Sequence, residues 1–443
     1  MMPSMLAPPS EPCQYRIFIA GGCYGGLSAA INLLEKCDSI GSPISIEVTI
    51  VDERDGYYHL IGSPLAMASK EYAEKAWVEY KHVKVLQRPN VTFVQGTVTG
   101  VDCENKTATV LERATQKTRV EAYDFLIAAT GLRRAWPVVP QALTKESYLA
   151  EVGAHCDRVL NSTAPVLVVG GGAVGIEMAA ELKYMEPRVR VALAHSRDKL
   201  LSAEPLPDMV KDCALELTEQ AGVEVLLSHR VAGSTPTLAG DGRTVLHHTV
   251  EFANGRTMVA SEVVTAVSAG VPSSGYLPRA ALDADGYVTA RPTMQFAAGC
   301  VPHADAHFAA GDVVRWSGIK RCGGALYAGK IAACNIHLIM LRELRARDGS
   351  AAAAAGDDES EGREEEKKEK EREGEGEGEE EEDPDFMRLG ETPPMIGLAV
   401  GKNGLSYGAE GMSYGPQVMQ LFFEDDLGFR IVWDHLGLGG NTV

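Results

Sequence analysis

No two of the nine cysteines, at 13, 23, 37, 103, 156, 213, 300, 322 and 334, stand in C-x-x-C or C-x4-C spacing. Their number is odd, and they read as reduced thiols that mostly fill cores. No metal site is expected. Basic residues are scarce: 42 Lys and Arg stand against 61 Asp and Glu, a net charge of −19. That balance argues against a nucleic-acid partner, because such partners are held by phosphate neutralisation. No uninterrupted apolar run reaches the ~18–20 residues of a spanning helix. The first residues, MMPSMLAPPSEPCQ, have neither a basic n-region nor an Arg-rich amphipathic pattern, so no signal or transit peptide is expected. Position 2 is not glycine, so myristoylation is not encoded.

The 443 residues that remain to be explained are 45% hydrophobic. That is too long for one small core and predicts two or three domains. The acidity is local. Between Asp357 and Asp385, 18 acidic residues face 5 basic ones, which accounts for −13 of the −19 and leaves −6 elsewhere. Residues 346–385 are an alanine run followed by Glu, Lys and Gly. They hold too little apolar surface to offset ordering and are expected to form a disordered insertion. Residues 1–14 are expected to be a disordered arm.

Two glycine turns organise the rest. In the first, RIFIAGGCYGGLSAA, an apolar strand leads through Gly21, Gly22, Cys23, Gly25 and Gly26 into a small-residue helix. This is the cradle of a dinucleotide phosphate: glycines bring the backbone close, and the helix N-terminus offers amide N–H groups. The G-x-G-x-x-G register falls on Gly21, Cys23 and Gly26, so a cysteine occupies the middle glycine position. The next strand ends at Asp52, an expected acceptor for ribose hydroxyls, with Arg54 close behind. Gly21 and Asp52 are 31 residues apart rather than ~20, which fits an insertion at 38–45. Tyr57, Tyr58 and His59 follow. The strand YDFLIAATG ends in Thr130-Gly131.

The second turn, VLVVGGGAVGIEMAAEL, has a complete register at Gly170, Gly172 and Gly175, with Ala173 and Val174 between them and Glu177 two residues on. It follows a strand and opens a helix, which is the context the motif requires. The next strand ends in His195 where an acid would select NAD, and Arg197 and Lys199 follow, an arrangement that accommodates a 2′-phosphate. Further apolar strands are expected at Val263–Gly270, which ends in Gly270, and at His307–Val314, which contains Gly311 and Asp312. A helix is expected over Cys322–Leu341.

Two fingerprints about 150 residues apart, the Ala-Thr-Gly strand end at 129–131 and the Gly311-Asp312 pair together resemble the two-dinucleotide flavoprotein family of glutathione reductase, type II NADH dehydrogenases and apoptosis-inducing factor. VVGGGAVGIEMAAELK, AHSRDKLL, EVLLSHRV and VDERDGYYHL resemble its ferroptosis-suppressor (apoptosis-inducing-factor-like) branch. The likeness covers residues 15–345 well and 386–443 loosely. It implies an α/β fold with two Rossmann-type, glutathione-reductase-like dinucleotide-binding domains and a C-terminal α+β segment. Its divisions are an FAD-binding part at 15–140 and 280–345, an NAD(P)H-binding domain at 141–279, and the C-terminal segment at 386–443.

By the same resemblance FAD lies on Gly21, Gly22 and Gly26, with Asp52 at its ribose, Thr130-Gly131 beside it and Asp312 on the ribityl chain. NAD(P)H lies on the second turn. Glu177, Lys320 and His59 are the catalytic candidates at the flavin. No cysteine pair follows the first helix, so a disulfide reductase is excluded. The implied activity is electron transfer from NAD(P)H through FAD to a quinone or other small-molecule acceptor. The alternatives are a specialised metabolite or a protein as acceptor, or a signalling flavoprotein. The expected location is cytoplasmic, with membrane or mitochondrial association and peripheral membrane contact through the C-terminal segment.

Overall fold

The computed structural model describes residues 13–39, 42–241, 243–267, 270–316, 319–354 and 383–439. Residues 1–12 of the expected disordered arm and most of the acidic insertion lie outside the described residues, whereas Cys13 and Gln14, expected in the arm, already belong to the first strand and pair with Ile44 and Ser45.

The strand Cys13–Ala20 sits inside a seven-stranded sheet. It pairs in parallel with Ile44–Asp52 on one side and Phe125–Ala128 on the other. Phe125–Ala128 in turn carries His307–Ala309, also parallel, at the sheet edge. On the far side Val91–Asp102 pairs in parallel with Ile44–Asp52, and Thr107–Glu112 and Thr118–Ala122 finish the sheet antiparallel. Strands covered on both faces read as continuous apolar runs, and Phe125–Ala128 is buried at every position. Residues 307–309 thus return to the sheet laid down by residues 13–128.

A second, four-stranded parallel sheet runs in the order Glu224–Leu226, Val191–Ala194, Val166–Val169, Glu262–Thr265. It is backed by an antiparallel sheet of Val231–Leu238, Val245–Phe252 and Thr257–Ala260. The helix Lys145–Leu160 is N-capped by Thr144, whose Oγ1 accepts from Ser147 N. The C-terminal segment is a three-stranded meander, Ile396–Val400, Asn403–Gly408 and Gly411–Gly415, followed by helices Pro416–Phe422 and Phe429–His435. The α/β fold with a C-terminal α+β segment is therefore observed.

Three elements differ from expectation. The helix that begins at Cys322 runs to Ala354 rather than to Leu341, so the alanine run at its end is helical. Alanine has the best helix propensity, and that extends the helix into the low-complexity stretch. By length and composition, Cys322–Arg347 also passes as a membrane span, with about half of its apolar window buried against the protein. Scattered small and polar residues hid this average from a search for an uninterrupted run. The expected strand over 263–270 stops at Thr265, and Val271–Pro272 instead pairs with Leu132–Arg133. The expected strand over 307–314 ends at Ala309 and gives way to a 3-10 turn at Gly311–Val313.

Candidate functional site

The first glycine turn is held by close approach. Gly21 has φ +99°, and a Cβ there would stand 2.4 Å from Ala129 O. A Cβ on Gly26 would stand 1.8 Å from Gly21 O, so the turn closes only without side chains. Asp52 faces the turn from the neighbouring strand: its carboxylate accepts from Gly22 N at 2.8 Å and Arg54 N at 2.9 Å. Burial pushes its pKa up, and Arg54 opposes that shift. Arg54 donates to Pro140 O at 3.2 Å, and its Nε is buried without a partner.

These residues open into a cleft of about 370 Å³. Gly21, Cys23 and Gly25 line it with Asp52 and Arg54. Thr130 and Gly131, at the end of the adjacent strand, line it together with Gly311 and Asp312. Lys320 and Glu177 also stand in its wall. The first half of the chain, the returning strand at 307–309 and the second glycine-turn helix thus meet at one cavity. It lies beyond the C-terminal ends of parallel strands, the usual place for a ligand in such sheets.

Cys23 caps the first helix and donates its thiol to Tyr58 O at 3.4 Å. Burial pushes its pKa up to about 12, and burial likewise pushes Cys322, also in the cleft wall, up to about 11. Both are thiols at neutral pH, and nucleophilic or redox relay chemistry needs the thiolate. Lys320 donates to the backbone carbonyls of Asp312 at 2.7 Å and Val314 at 3.0 Å, and sits 4.7 Å above the Tyr287 ring. Burial lowers its pKa to about 8, against the pull of Asp312. Glu177 accepts from Ala399 N at 3.1 Å, and burial raises it to about 8.

His59 is not in the cleft wall. Side chains alternate along the extended stretch, so Tyr58 and Leu60 face the cavity while Tyr57 and His59 face away. His59 Nε2 lies 3.0 Å from Leu427 O, and Nδ1 lies near the Tyr24 and Tyr57 hydroxyls at 3.3 and 3.1 Å. A carbonyl only accepts, so the proton sits on Nε2 and the ring is neutral. Burial lowers its pKa to about 4. His59 joins the C-terminal segment to the sheet.

The second glycine turn copies the first. Gly170 has φ +118°, and a Cβ on Gly175 would stand 1.8 Å from Gly170 O. Gly172 caps the helix that begins at Ala173, and Val174 reaches the cleft. His195 holds the place that Asp52 holds in the first half: its Nδ1 accepts from Gly171 N at 3.1 Å, and Nε2 pairs with Ser202 Oγ at 2.8 Å. The ring is therefore neutral, and burial, with Arg197 beside it, lowers its pKa. Arg197 donates to Ser202 O at 3.1 Å and is otherwise exposed. Lys199 is engaged by Asp208 and Asp212. Gly270 packs against Leu132 at the crossing between the two halves.

Sequence reasoning missed Tyr80, whose hydroxyl bounds the turn at Gly22. It also missed Ser273 and Tyr276, which meet Thr130 Oγ1 at 2.7 and 3.3 Å. None of the three stands in a motif, and only the tertiary fold brings them to the cleft. Glu181 could have been found from its spacing of one helical turn from Glu177.

Two glycine cradles on the parallel strands of two sheets, an acid at the end of the strand beside the first cradle and a shared cleft define an FAD-dependent NAD(P)H oxidoreductase. The chain belongs to the pyridine nucleotide-disulphide oxidoreductase family, whose pattern matches residues 15–329. It is 42% identical to Oxidoreductase OXR1 of Ajellomyces capsulatus over 442 residues, which covers 96% of this chain and 88% of that one. It is 27% identical to Ferroptosis suppressor protein 1 of Homo sapiens over 260 residues, 59% of this chain and 64% of the human one. Among solved structures, an NAD-dependent persulfide reductase from A. fulgidus superposes with a TM-score of 0.61 at 17% identity, covering 89% of this chain and 64% of that one. At that identity the likeness is one of fold.

Proposed function

We propose that the protein passes two electrons from NAD(P)H through FAD to a quinone-type acceptor. The observation that carries this reading is one cleft shared by both halves of the chain, whose lining includes Lys320, Glu177 and the apolar Leu60, Ile61 and Pro64, with no thiolate within it. Bound FAD supplies a two-electron carrier, while the protein supplies binding, orientation and electrostatics. With no thiol relay, the acceptor must reach the cleft itself, and a flat apolar ring fits that wall. The similarity to Oxidoreductase OXR1 supports the oxidoreductase part of this reading.

In this reading residues 15–140 and 280–345 form the FAD half and 141–279 the NAD(P)H half. Gly21, Gly22, Gly25 and Gly26 leave room for the pyrophosphate. Asp52 and the unpartnered Arg54 Nε meet the adenosine end. Asp312 holds the ribityl chain, Lys320 places positive charge at the reacting end, and Glu177 holds a proton there. His195 and Arg197 receive the 2′-phosphate side of NADPH. Tyr414, Leu421 and Phe422, which are exposed by 58, 69 and 48%, give the C-terminal segment an apolar edge suited to peripheral membrane contact.

Steady-state oxidation of NADH and NADPH with short-chain quinones, ferricyanide and oxygen tests the proposal. Quinone-dependent turnover well above the oxygen background is the expected result. A quinone rate no faster than that background would contradict it.

A further inference from the structure

Glu177 and Glu181 stand one turn apart on the helix Ala173–Met185, and both point at the C-terminal strand Ile396–Val400 and its turn. Ala399 N donates to Glu177 at 3.1 Å, and Gly401 N faces Glu181. The spacings match. Four helical residues rise ~6 Å, and two strand residues rise ~6.6 Å, so the two carboxyls meet alternate N–H groups on one edge of the strand. Glu177 is in the cleft wall. Glu181 is 2% exposed, and its Oε1 has no partner. It lies under the Gly401–Lys402 turn, where Lys402 is exposed. A buried carboxyl oxygen left unpaired is costly unless it has a use or is protonated.

We propose that Glu181 and Glu177 form a two-carboxyl relay that carries a proton from the surface turn at Gly401–Lys402 to the acceptor in the cleft. The inference rests on the quinone reading. NAD(P)H gives up two electrons and one proton, whereas reduction of a quinone to a hydroquinone takes up two electrons and two protons. The second proton comes from solvent. The Glu177 O–H bond breaks as the acceptor's O–H bond forms; Glu181 then gives its proton to the Glu177 carboxylate and regains one from solvent. Side chains at i and i+4 are neighbours on a helix, within reach of one rotamer change or one bridging water.

The groups facing the pair are few. Tyr72 approaches Glu181 from the helix Lys70–Lys75, but its hydroxyl is committed to Asp426 O at 2.6 Å. Lys402 lies 5.8 Å from the Tyr184 ring, on the solvent side. Burial keeps both carboxyls protonated near neutral pH, Glu177 to about 8 and Glu181 to about 7.

Glu181→Gln tests the relay, because the amide oxygen still faces Gly401 N but cannot carry an acidic proton. In the holoenzyme, turnover with ferricyanide, which takes electrons without protons, is expected to be unchanged. Reduction of a short-chain quinone is expected to fall on the order of tenfold or more, in the range of general-acid effects. Infrared titration gives a readout apart from turnover: of the carboxylic-acid C=O absorption that fades near neutral pH in the wild type, the part that fades near pH 7 is lost in the variant, and the Glu177 part near pH 8 remains. Equal losses with both acceptors, an unchanged quinone rate, or a C=O titration that the substitution leaves unaltered would each overturn the relay. A wild type that reduces ferricyanide but no quinone would overturn the quinone reading instead, and the infrared band would then decide the carboxyl pair on its own.

Discussion

His195 occupies the position from which an acid would hydrogen-bond the 2′-hydroxyl of NADH and repel the 2′-phosphate of NADPH. The sequence suggests that protonating this ring would aid phosphate binding. Its geometry points the other way, because Nδ1 already accepts from Gly171 N. Protonation would put a donor against a donor and loosen the turn, and the ring's pKa is lowered accordingly. NADPH affinity is therefore expected to hold steady or weaken as pH falls below about 6.5, the ordinary histidine value, when Michaelis constants are measured across pH. In the proposed binding mode Arg197 supplies the charge. Arg197→Ala is expected to cost NADPH on the order of 1.5–3 kcal/mol, the worth of a charged hydrogen bond. The loss should fall mainly on the Michaelis constant, with NADH little affected. Equal losses for both cofactors would refute this role. At this scale the glycines, Asp52 and Asp312 were legible because motifs fix their spacing. The direction of the His59 ring was not, since period-two alternation decides it and a single position does not reveal its phase.

At the scale of elements, the site depends on how closely the helix Cys322–Ala354 meets the helix Tyr24–Cys37 behind the first glycine turn. A Cβ on Gly329 would stand 2.2 Å from Gly25 O and 3.1 Å from Ala29 N. Ser28 Oγ adds a 2.8 Å bond to Leu326 O across the same contact. Gly329→Ala must therefore push the helices apart. It is expected to destabilise the protein by about 1–3 kcal/mol, the usual cost of overpacking. It should also lower FAD content, read from the flavin-to-protein absorbance ratio, because Gly25 belongs to the cradle. Unchanged thermal stability and flavin content would refute this. The helix was legible from its small residues, but its length was not, since low-complexity composition concealed nine helical residues beyond 345. The last strands of both sheets were read too long, because their apolar runs continue past the hydrogen-bonded ladder.

For the whole molecule, buried ionisable groups set the response to pH. His59, His155 and His307 are each lowered by burial from 6.5 to about 4. A depressed histidine contributes stability that is complete above 6.5 and is lost as pH falls toward 4, on the order of 3 kcal/mol each. Glu177 and Glu181 act in the opposite sense. Raised from 4.5 to about 8 and 7, they stabilise most at low pH, and that contribution is lost as pH rises through 7 and 8. Between 4.5 and 6.5 three histidines outweigh two carboxyls, and from 6.5 to 8 the two carboxyls outweigh Lys320, which is lowered to about 8. Thermal stability is expected to peak near pH 6.5, and a midpoint that climbs steadily from pH 6.5 to 8 would contradict this. None of it was visible in the sequence, because burial of a given His or Glu is a property of the folded core. The architecture was visible, because two fingerprints and their strands fix two parallel sheets, and the return of residues 307–309 follows from Gly311-Asp312. The central claim is electron transfer from NAD(P)H through bound FAD to a quinone. Anaerobic double mixing tests it most directly, following flavin absorbance as NAD(P)H is added and a short-chain quinone after it. The account predicts bleaching on the first addition and full recovery of the oxidised spectrum within turnover time on the second. Bleaching without recovery would contradict it.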